Sequence, residues 1–360
     1  MKIIVYPGSF DPLHNGHLLI ARHAKREIGA DLVLFLLSPS TVWKKVQTSF
    51  NHRANMISAA LKDEEGFELS RIEEGNEGKL NYTYLTFMRL REHYPHDELY
   101  LLLGEDQAMA FDQWKHPELI AEQAKILVYK RKGSKVSNEN FERFDMLEIT
   151  GPLSSTSSTK VRNFESIDVP SVVLEYIGNN KLYFSGLVAK RMSDERYYHS
   201  LSVASLSRLI AIANDVDPLK AFKAGLFHDI GKEVPAAKSL KIMEEHFPKY
   251  LNMPLWSHHQ FVGAYLMKEE YLEKDKKLID AVKYHATGHK KMSKLAKVIY
   301  AADKIEPSRG FDSSQYIAEC VKDINKGFVI VLQANKDYLI SKGKDIDNAL
   351  TNACFKKYLK

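Results

Sequence analysis

Cysteine is almost missing from this chain: Cys320 and Cys354 are the only two in 360 residues. That excludes a disulfide framework and fits a reducing compartment. Long apolar runs are absent too, none approaching the roughly 20 residues that span a bilayer, so a membrane partner is excluded. The polar stretch from Gly8 to His17 begins too soon after Met1 for a signal peptide, and the expected location is the cytoplasm. Neither charge dominates, with 51 Lys and Arg against 46 Asp and Glu, a net charge of +5. Polyanionic small molecules account for that excess as readily as nucleic acid does. Without an arginine-rich tract or an RNA-binding motif, nucleic acid is not the expected partner. What is present, 44% hydrophobic and 27% charged residues, reads as globular. The length accommodates two domains, each with its own core, and is compatible with an oligomer.

Everything in the first half is organised around Gly8-Ser9-Phe10-Asp11-Pro12-Leu13-His14-Asn15-Gly16-His17. It follows the apolar run Ile3 to Tyr6 and opens into Leu18-Leu19-Ile20-Ala21, a strand, a glycine-bearing turn and a helix start. His14 and His17, three residues apart, share a helix face. They lie beside unpaired N–H groups at the positive end of the helix dipole, a corner suited to a nucleotide phosphate. Further along, Asp31 to Leu37, Phe67 to Ser70, Leu99 to Leu103 and Met146 to Thr150 read as strands. A helix capped by Asn51 or Ser49 and another over Tyr82 to His93 lie between them. This alternation predicts a doubly wound α/β parallel sheet, with ligands beyond the carboxyl ends of its strands.

The decapeptide resembles the G-x-F-x-P-x-H-x-G-H motif of bacterial nucleotidyltransferases, closest to nicotinate-mononucleotide adenylyltransferase. The resemblance implies a Rossmann-like domain with Gly8, Ser9 and Phe10 at the nucleotide. Ser38 to Lys45 resembles the family's lysine loop and His52-Arg53-Ala54-Asn55-Met56 its H-R-x-x-M segment, placing Lys44 and Arg53 near phosphate. Asn81 to Thr86 resembles the Y-T-x-x-T stretch by the nicotinate pocket, which implicates Tyr82, Thr83 and Thr86. Gly104-Glu105-Asp106 and Trp114 resemble G-x-D…W, with the aspartate on the adenylate ribose and the tryptophan by the pyridine ring. Ser154 to Arg162 resembles S-S-T-x-x-R. Its serine repeat blurs the register, and only Ser157-Ser158-Thr159 places an arginine, Arg162, three residues after the threonine, where it would hold the β- and γ-phosphates of ATP. The implied reaction is in-line attack of nicotinate mononucleotide phosphate on the α-phosphorus of ATP, with Mg2+ carried by the ATP. His14, His17, Lys44 and Arg162 would serve as its catalytic groups. Other members share the two histidines, so another acceptor such as nicotinamide mononucleotide stays open.

Val173 to Tyr183 resembles the usual carboxyl end of that family, and helical periodicity takes over beyond it. The expected junction lies near Phe184 to Leu187, giving domains 1–185 and 186–360. In the second half His199, the pair His228-Asp229 with Gly231-Lys232, then His259, His285 and Asp303 follow in order. From Tyr197 to Arg309 the series resembles the all-α HD-domain bundle of bacterial hydrolases that split diadenosine tetraphosphate symmetrically, with ligand order H…HD…H…H…D. Thr287-Gly288 and Met292-Ser293 match that family's T-G…M-S. Two features depart from it: His258 adjoins His259, whose register Val262-Gly263-Ala264 selects, and Phe261 stands where proline is common. The resemblance implies six ligands for two transition-metal ions, iron first and manganese second, with Asp229 bridging. Lys232 and Arg309 would meet phosphate oxygens. Amphipathic helices Ile317 to Ile324 and Phe328 to Tyr338 are expected to close the bundle. The combined expectation is a bifunctional enzyme of NAD biosynthesis and diadenosine tetraphosphate hydrolysis. The alternatives are a different HD phosphohydrolase or a regulatory nucleotide-binding module in the second half.

Overall fold

The computed structural model describes residues 1–39, 46–76, 78–79, 81–131, 133–135, 137–344 and 346–359. They form two units, Met1–Phe184 and Ser185–Lys360. The first is built on six strands: β1 (Lys2–Gly8), β2 (Leu32–Leu37), β3 (Phe67–Ser70), β4 (Glu98–Gly104), β5 (Lys125–Arg131) and β6 (Leu147–Gly151). All pair in parallel, in the order β3-β2-β1-β4-β5-β6. Every residue of β2, LVLFLL, is buried, because both faces of the sheet are covered. Ile4, Phe35 and Leu37 pack with Leu18, Ala21 and Ile57 on one side. Ile3, Val5, Leu34 and Leu36 pack with Phe87, Leu90 and Ile120 on the other. Each such side chain contributes about 1.5–3 kcal/mol by leaving water.

β5 is not among the strands expected from sequence. Its apolar core is only Ile126-Leu127-Val128, flanked by lysine and tyrosine, and its burial comes from β4 and β6 on either side. The helix cap left open between Ser49 and Asn51 is Ser49, whose hydroxyl accepts from the His52 N–H at 3.3 Å. Strand order reverses between β1 and β4. Their carboxyl ends, Gly8 and Gly104, therefore frame the crevice where such sheets bind ligands.

The second unit is helical. Helices Asp194–Ala213, Pro218–Phe227, His258–Glu269, Lys276–Lys283 and Lys294–Ile305 pack together, followed by Ser314–Lys322, Ile324–Ser341 and Ala349–Tyr358. The helix expected over Ile317 to Ile324 instead stops at Lys322. Asp323 separates it from the next helix by accepting from the N–H groups of Asn325 and Lys326. Among the described residues no helix is long and apolar enough to cross a membrane.

Candidate active sites

In the first unit the chain leaves β1 at Gly8, and the Phe10 ring folds back over that glycine. A Cβ there would come within 2.7 Å of the ring, so glycine is required. Phe10 is 2% exposed and adopts φ 42°, and the turn continues through a cis Asp11–Pro12 peptide. It delivers His14 to the cap of helix Asn15–Ile28. The His14 and His17 rings stack 3.6 Å apart. The His14 N–H donates to His17 Nδ1 at 3.2 Å, which leaves the neutral His17 ring with its proton on Nε2. Burial pushes the His14 imidazole down to about 4 against the opposing pull of Asp168, and its Nδ1 is buried without a hydrogen-bond partner.

The serine-rich segment lies against the same turn. Ser158 donates to the Pro12 carbonyl at 2.9 Å and Arg162 to the Asp11 carbonyl at 2.6 Å. Ser157 caps the short helix Ser158–Arg162 by accepting from the Lys160 N–H, and Thr159 Oγ1 accepts from Arg162 at 3.1 Å. Arg162 Nε is buried without a partner. His14 Nδ1 and Arg162 Nε are thus unsatisfied polar atoms in one loop cluster, an arrangement that a bound anion relieves. The Asp11 carboxylate, not singled out from sequence, accepts from the Tyr183 hydroxyl at 2.7 Å and the Gln47 N–H at 2.8 Å. A lone aspartate carries no signal of such remote partners.

Two expected substrate contacts are spent inside the fold. Arg53 is fully buried and clamps the Ser9, Ser38 and Thr48 carbonyls at 2.6, 2.7 and 3.2 Å. It joins the loops leaving β1 and β2. Thr86 is buried and donates to Glu73 at 2.7 Å, and burial raises that carboxyl above its usual range. Tyr82 and Thr83 are half-buried at the start of helix Thr83–His93, and Tyr82 stacks on Tyr84. Gly104 and Asp106 are exposed at the end of β4, while Trp114 lies half-buried against Phe111. Lys44 lies outside the described residues.

The second unit brings all six expected ligands together. His228 and Asp229 follow helix Pro218–Phe227; His199, His259 and Asp303 project from helices Asp194–Ala213, His258–Glu269 and Lys294–Ile305; and His285 follows helix Lys276–Lys283. His228, His259 and His285 Nε2 lie 3.5, 3.5 and 3.4 Å from Asp229 Oδ1. His199 and His228 Nε2 lie 3.3 and 3.6 Å from Asp303 Oδ1. Two groups, His199-His228-Asp303 and His228-Asp229-His285, have ligand spacing. Each Nδ1 is held from behind. His228, His259 and His285 bond the Gly225, Trp256 and Val282 carbonyls at 2.7 Å, and His199 bonds Glu306 at 3.0 Å. With the Nδ1 atoms donating, the Nε2 atoms present lone pairs to carboxylate oxygens and to one another, as in His259–His285 at 3.1 Å. Lone pairs facing lone pairs in a buried centre favour a bound cation. His228 Nε2 and Asp229 Oδ1 are in fact buried without a hydrogen-bond partner. The donor set therefore fits a metal pair.

The neighbour His258 instead bonds the Met253 carbonyl at 3.1 Å, away from the centre. Phe261 stacks on Tyr250 at 4.6 Å inside a regular helix, so the departure from proline leaves the backbone undistorted. Burial would raise the Asp229 carboxyl, but His228 and His285 outweigh it and hold it well below the usual carboxylate range. Burial lowers His259 and His285 below the ordinary imidazole range. Lys232 and Arg196 reach Asp229 Oδ2 at 2.8 and 3.2 Å, and Lys304 and Arg309 contact Asp303. Sequence reasoning missed Arg196, Glu306 and Gln260. Gln260 is fully buried and accepts from the Ala286 and Thr287 N–H groups at 3.3 Å, fixing the loop after His285. None of the three falls at a ligand position of the motif, and only packing shows their role.

Known proteins match both units. A cytidylyltransferase-like family model matches residues 5–164 and an HD-domain model residues 196–308. A Mycoplasma genitalium protein named "Probable nicotinate-nucleotide adenylyltransferase/Ap4A hydrolase" is 31% identical over 342 residues, covering 92% of this chain and 97% of its own. Its Mycoplasma pneumoniae namesake is 27% identical, over 92% and 98%. A Clostridium tetani "Probable nicotinate-nucleotide adenylyltransferase" is 35% identical over 172 residues, 45% of this chain and 85% of its own. Matched along nearly the whole of both chains, this protein belongs to the two-domain family of the mycoplasmal nicotinate-nucleotide adenylyltransferase/Ap4A hydrolases.

Proposed function

We propose that the first unit transfers AMP from ATP to nicotinate mononucleotide, releasing pyrophosphate, and that the second hydrolyses diadenosine tetraphosphate to two ADP. The relatives' names support both halves of this reading. In the first unit, the observation that carries it is the pair of unsatisfied buried atoms, His14 Nδ1 and Arg162 Nε, at the switch-point loop. His17 Nε2–H and the start of helix Asn15–Ile28 hold phosphate oxygens, and Arg162 balances the charge that develops as pyrophosphate departs. The acceptor phosphate attacks the α-phosphorus in line; no covalent enzyme intermediate is needed. Positioning and charge stabilisation account for the chemistry.

In the second unit the carrying observation is the convergence of histidine Nε2 atoms on Asp229 and Asp303. His199, His228, Asp229, His259, His285 and Asp303 would hold two cations, iron or manganese by ligand type. When bound, such a pair supplies Lewis acidity and lowers the pKa of a water molecule. Lys232 and Arg309 bind phosphate oxygens and so orient the anhydride. Arg196 holds Asp229 in place.

The test uses the full chain, loaded anaerobically with iron or manganese and given diadenosine tetraphosphate. Two ADP per substrate, lost in a His228→Ala, Asp229→Ala variant that still makes the dinucleotide from ATP and nicotinate mononucleotide, is the expected result. Metal bound without turnover would point to another phosphate ester or a regulatory role. A preference for nicotinamide mononucleotide would overturn the acceptor assignment.

A further inference from the structure

Beside the metal-ligand cluster lies a cleft of about 670 Å³ that the catalytic reading leaves unassigned. Lys304, Arg309, Phe311, Tyr316, Asn335 and Tyr338 are among its lining residues. Its walls come from the end of helix Lys294–Ile305, the turn after it, and helices Ser314–Lys322 and Ile324–Ser341. One end is cationic and tied to the ligands: Lys304 Nζ and Arg309 both contact Asp303, and Arg309 Nε also donates to the Asp303 carbonyl at 2.9 Å. The remainder is aromatic and aliphatic, with Ile305, Val331 and Ala334 beside the rings and Asp312 as an acidic lining group. Phe311 is 48% exposed and Tyr338 58% exposed, leaving large ring surfaces in water within a concave site. Tyr316 meets Phe311 edge-on, at 6.4 Å and 77°, which steadies the ring without stacking on it. Asn335 is held by donating its amide to the Tyr300 hydroxyl at 3.1 Å.

Cations at one end and unstacked aromatic rings at the other match the two ends of a nucleotide, phosphate and base. The volume also suits one nucleoside. We infer that this cleft is the nucleoside subsite of the second unit, binding one purine base of the substrate against Phe311 and Tyr338. The adjoining phosphates run past Arg309 and Lys304 toward Asp303. The inference rests on the proposed phosphohydrolase reading and deepens it by naming what selects a nucleotide over a simple phosphate ester. Phe311 and Tyr338 are specificity residues, not catalytic ones. Stacking on an aromatic ring tolerates any base, so discrimination among bases falls to polar lining groups such as Asn335.

The test is photolabelling of the metal-loaded full chain with 8-azido-ADP, followed by peptide mapping, together with hydrolysis kinetics of a Phe311→Ala, Tyr338→Ala variant. We expect label on peptides spanning 310–316 or 331–338, competed by ADP and not by inorganic phosphate. In the variant, KM for diadenosine tetraphosphate should rise roughly 5- to 100-fold, the span of base–aromatic stacking, with kcat changed far less. Both rings are half exposed, so truncation spares the core, and unchanged adenylyl transfer and metal content verify the fold. Hydrolysis with unchanged KM and label elsewhere in the second unit would overturn the cleft assignment while leaving the hydrolase reading intact. Label in the cleft without hydrolysis would do the reverse.

Discussion

Gly231 is where the second unit tolerates least. A Cβ on this residue would lie 2.2 Å from the His259 carbonyl and 2.7 Å from the Gly263 nitrogen, both backbone atoms of helix His258–Glu269. An ordinary carbon–oxygen contact needs about 1 Å more, so in Gly231→Ala the loop carrying His228 and Asp229 must part from the helix carrying His259. Overpacking of this kind costs about 1–3 kcal/mol, equivalent to a fall of roughly 2–12 °C in the melting transition for a unit of this size. The geometric consequence is sharper. His259 Nε2 stands 3.5 Å from Asp229 Oδ1, and a shift of about 1 Å there breaks the ligand geometry. Calorimetry of the full chain, read as separate transitions because two units need not melt together, should show only the later residues' transition lowered. Metal analysis should show reduced occupancy, with adenylyl transfer retained. A variant with full metal content and an unmoved transition would refute the close packing of Gly231 on helix His258–Glu269.

Three further outcomes follow from particular contacts. His259→Ala should abolish tight metal binding, whereas His258→Ala should keep it and lose only the hydrogen bond to Met253, about 1–3 kcal/mol of stability; elemental analysis of the two proteins decides, and the reverse pattern would mean the ligand is His258. Arg53→Met should destabilise the first unit by about 3 kcal/mol or more, because three carbonyls lose a charged donor, and denaturant unfolding that matches the parent would contradict its role as a clamp. His14 binds protons more weakly folded, at about 4, than at its ordinary 6.5, so between those values the unfolded chain holds more protons and stability falls as pH drops through that window. The penalty is at most about 3 kcal/mol, and His14→Asn should flatten the pH dependence of unfolding over that range; an unchanged slope would show that His14 is not the group responsible.

Several features were legible in the residues themselves. LVLFLL in β2 reads as a strand buried on both faces. The Gly8 to His17 stretch announced a strand, turn and helix corner, and the ordered histidines and aspartates marked the ligand positions that the second unit brings together. The first two signals are local, carried by periodicity and spacing; the ligand positions rested on resemblance to a known family. β5 escaped because its apolar core is three residues long and its burial is supplied by its neighbours. Arg53 read as a phosphate contact because sequence cannot reveal the carbonyls of Ser9, Ser38 and Thr48 that turn it inward. Thr86 likewise read as a substrate contact until Glu73 claimed its hydroxyl.

The sequence by itself determined the alternating strands and helices of the first unit and its strand–turn–helix corner, because these depend on residue type at fixed separation along the chain, while the HD bundle and its six candidate ligands were implied by resemblance to a known family. The tertiary structure turns His259, the residue selected by the Val262-Gly263-Ala264 register, toward the centre and His258 away from it. It also decided that every Nδ1 is held from behind, leaving the Nε2 lone pairs to converge, and that an aromatic cleft opens next to Asp303. Those properties depend on direction and on partners tens of residues away, which packing fixes and spacing does not.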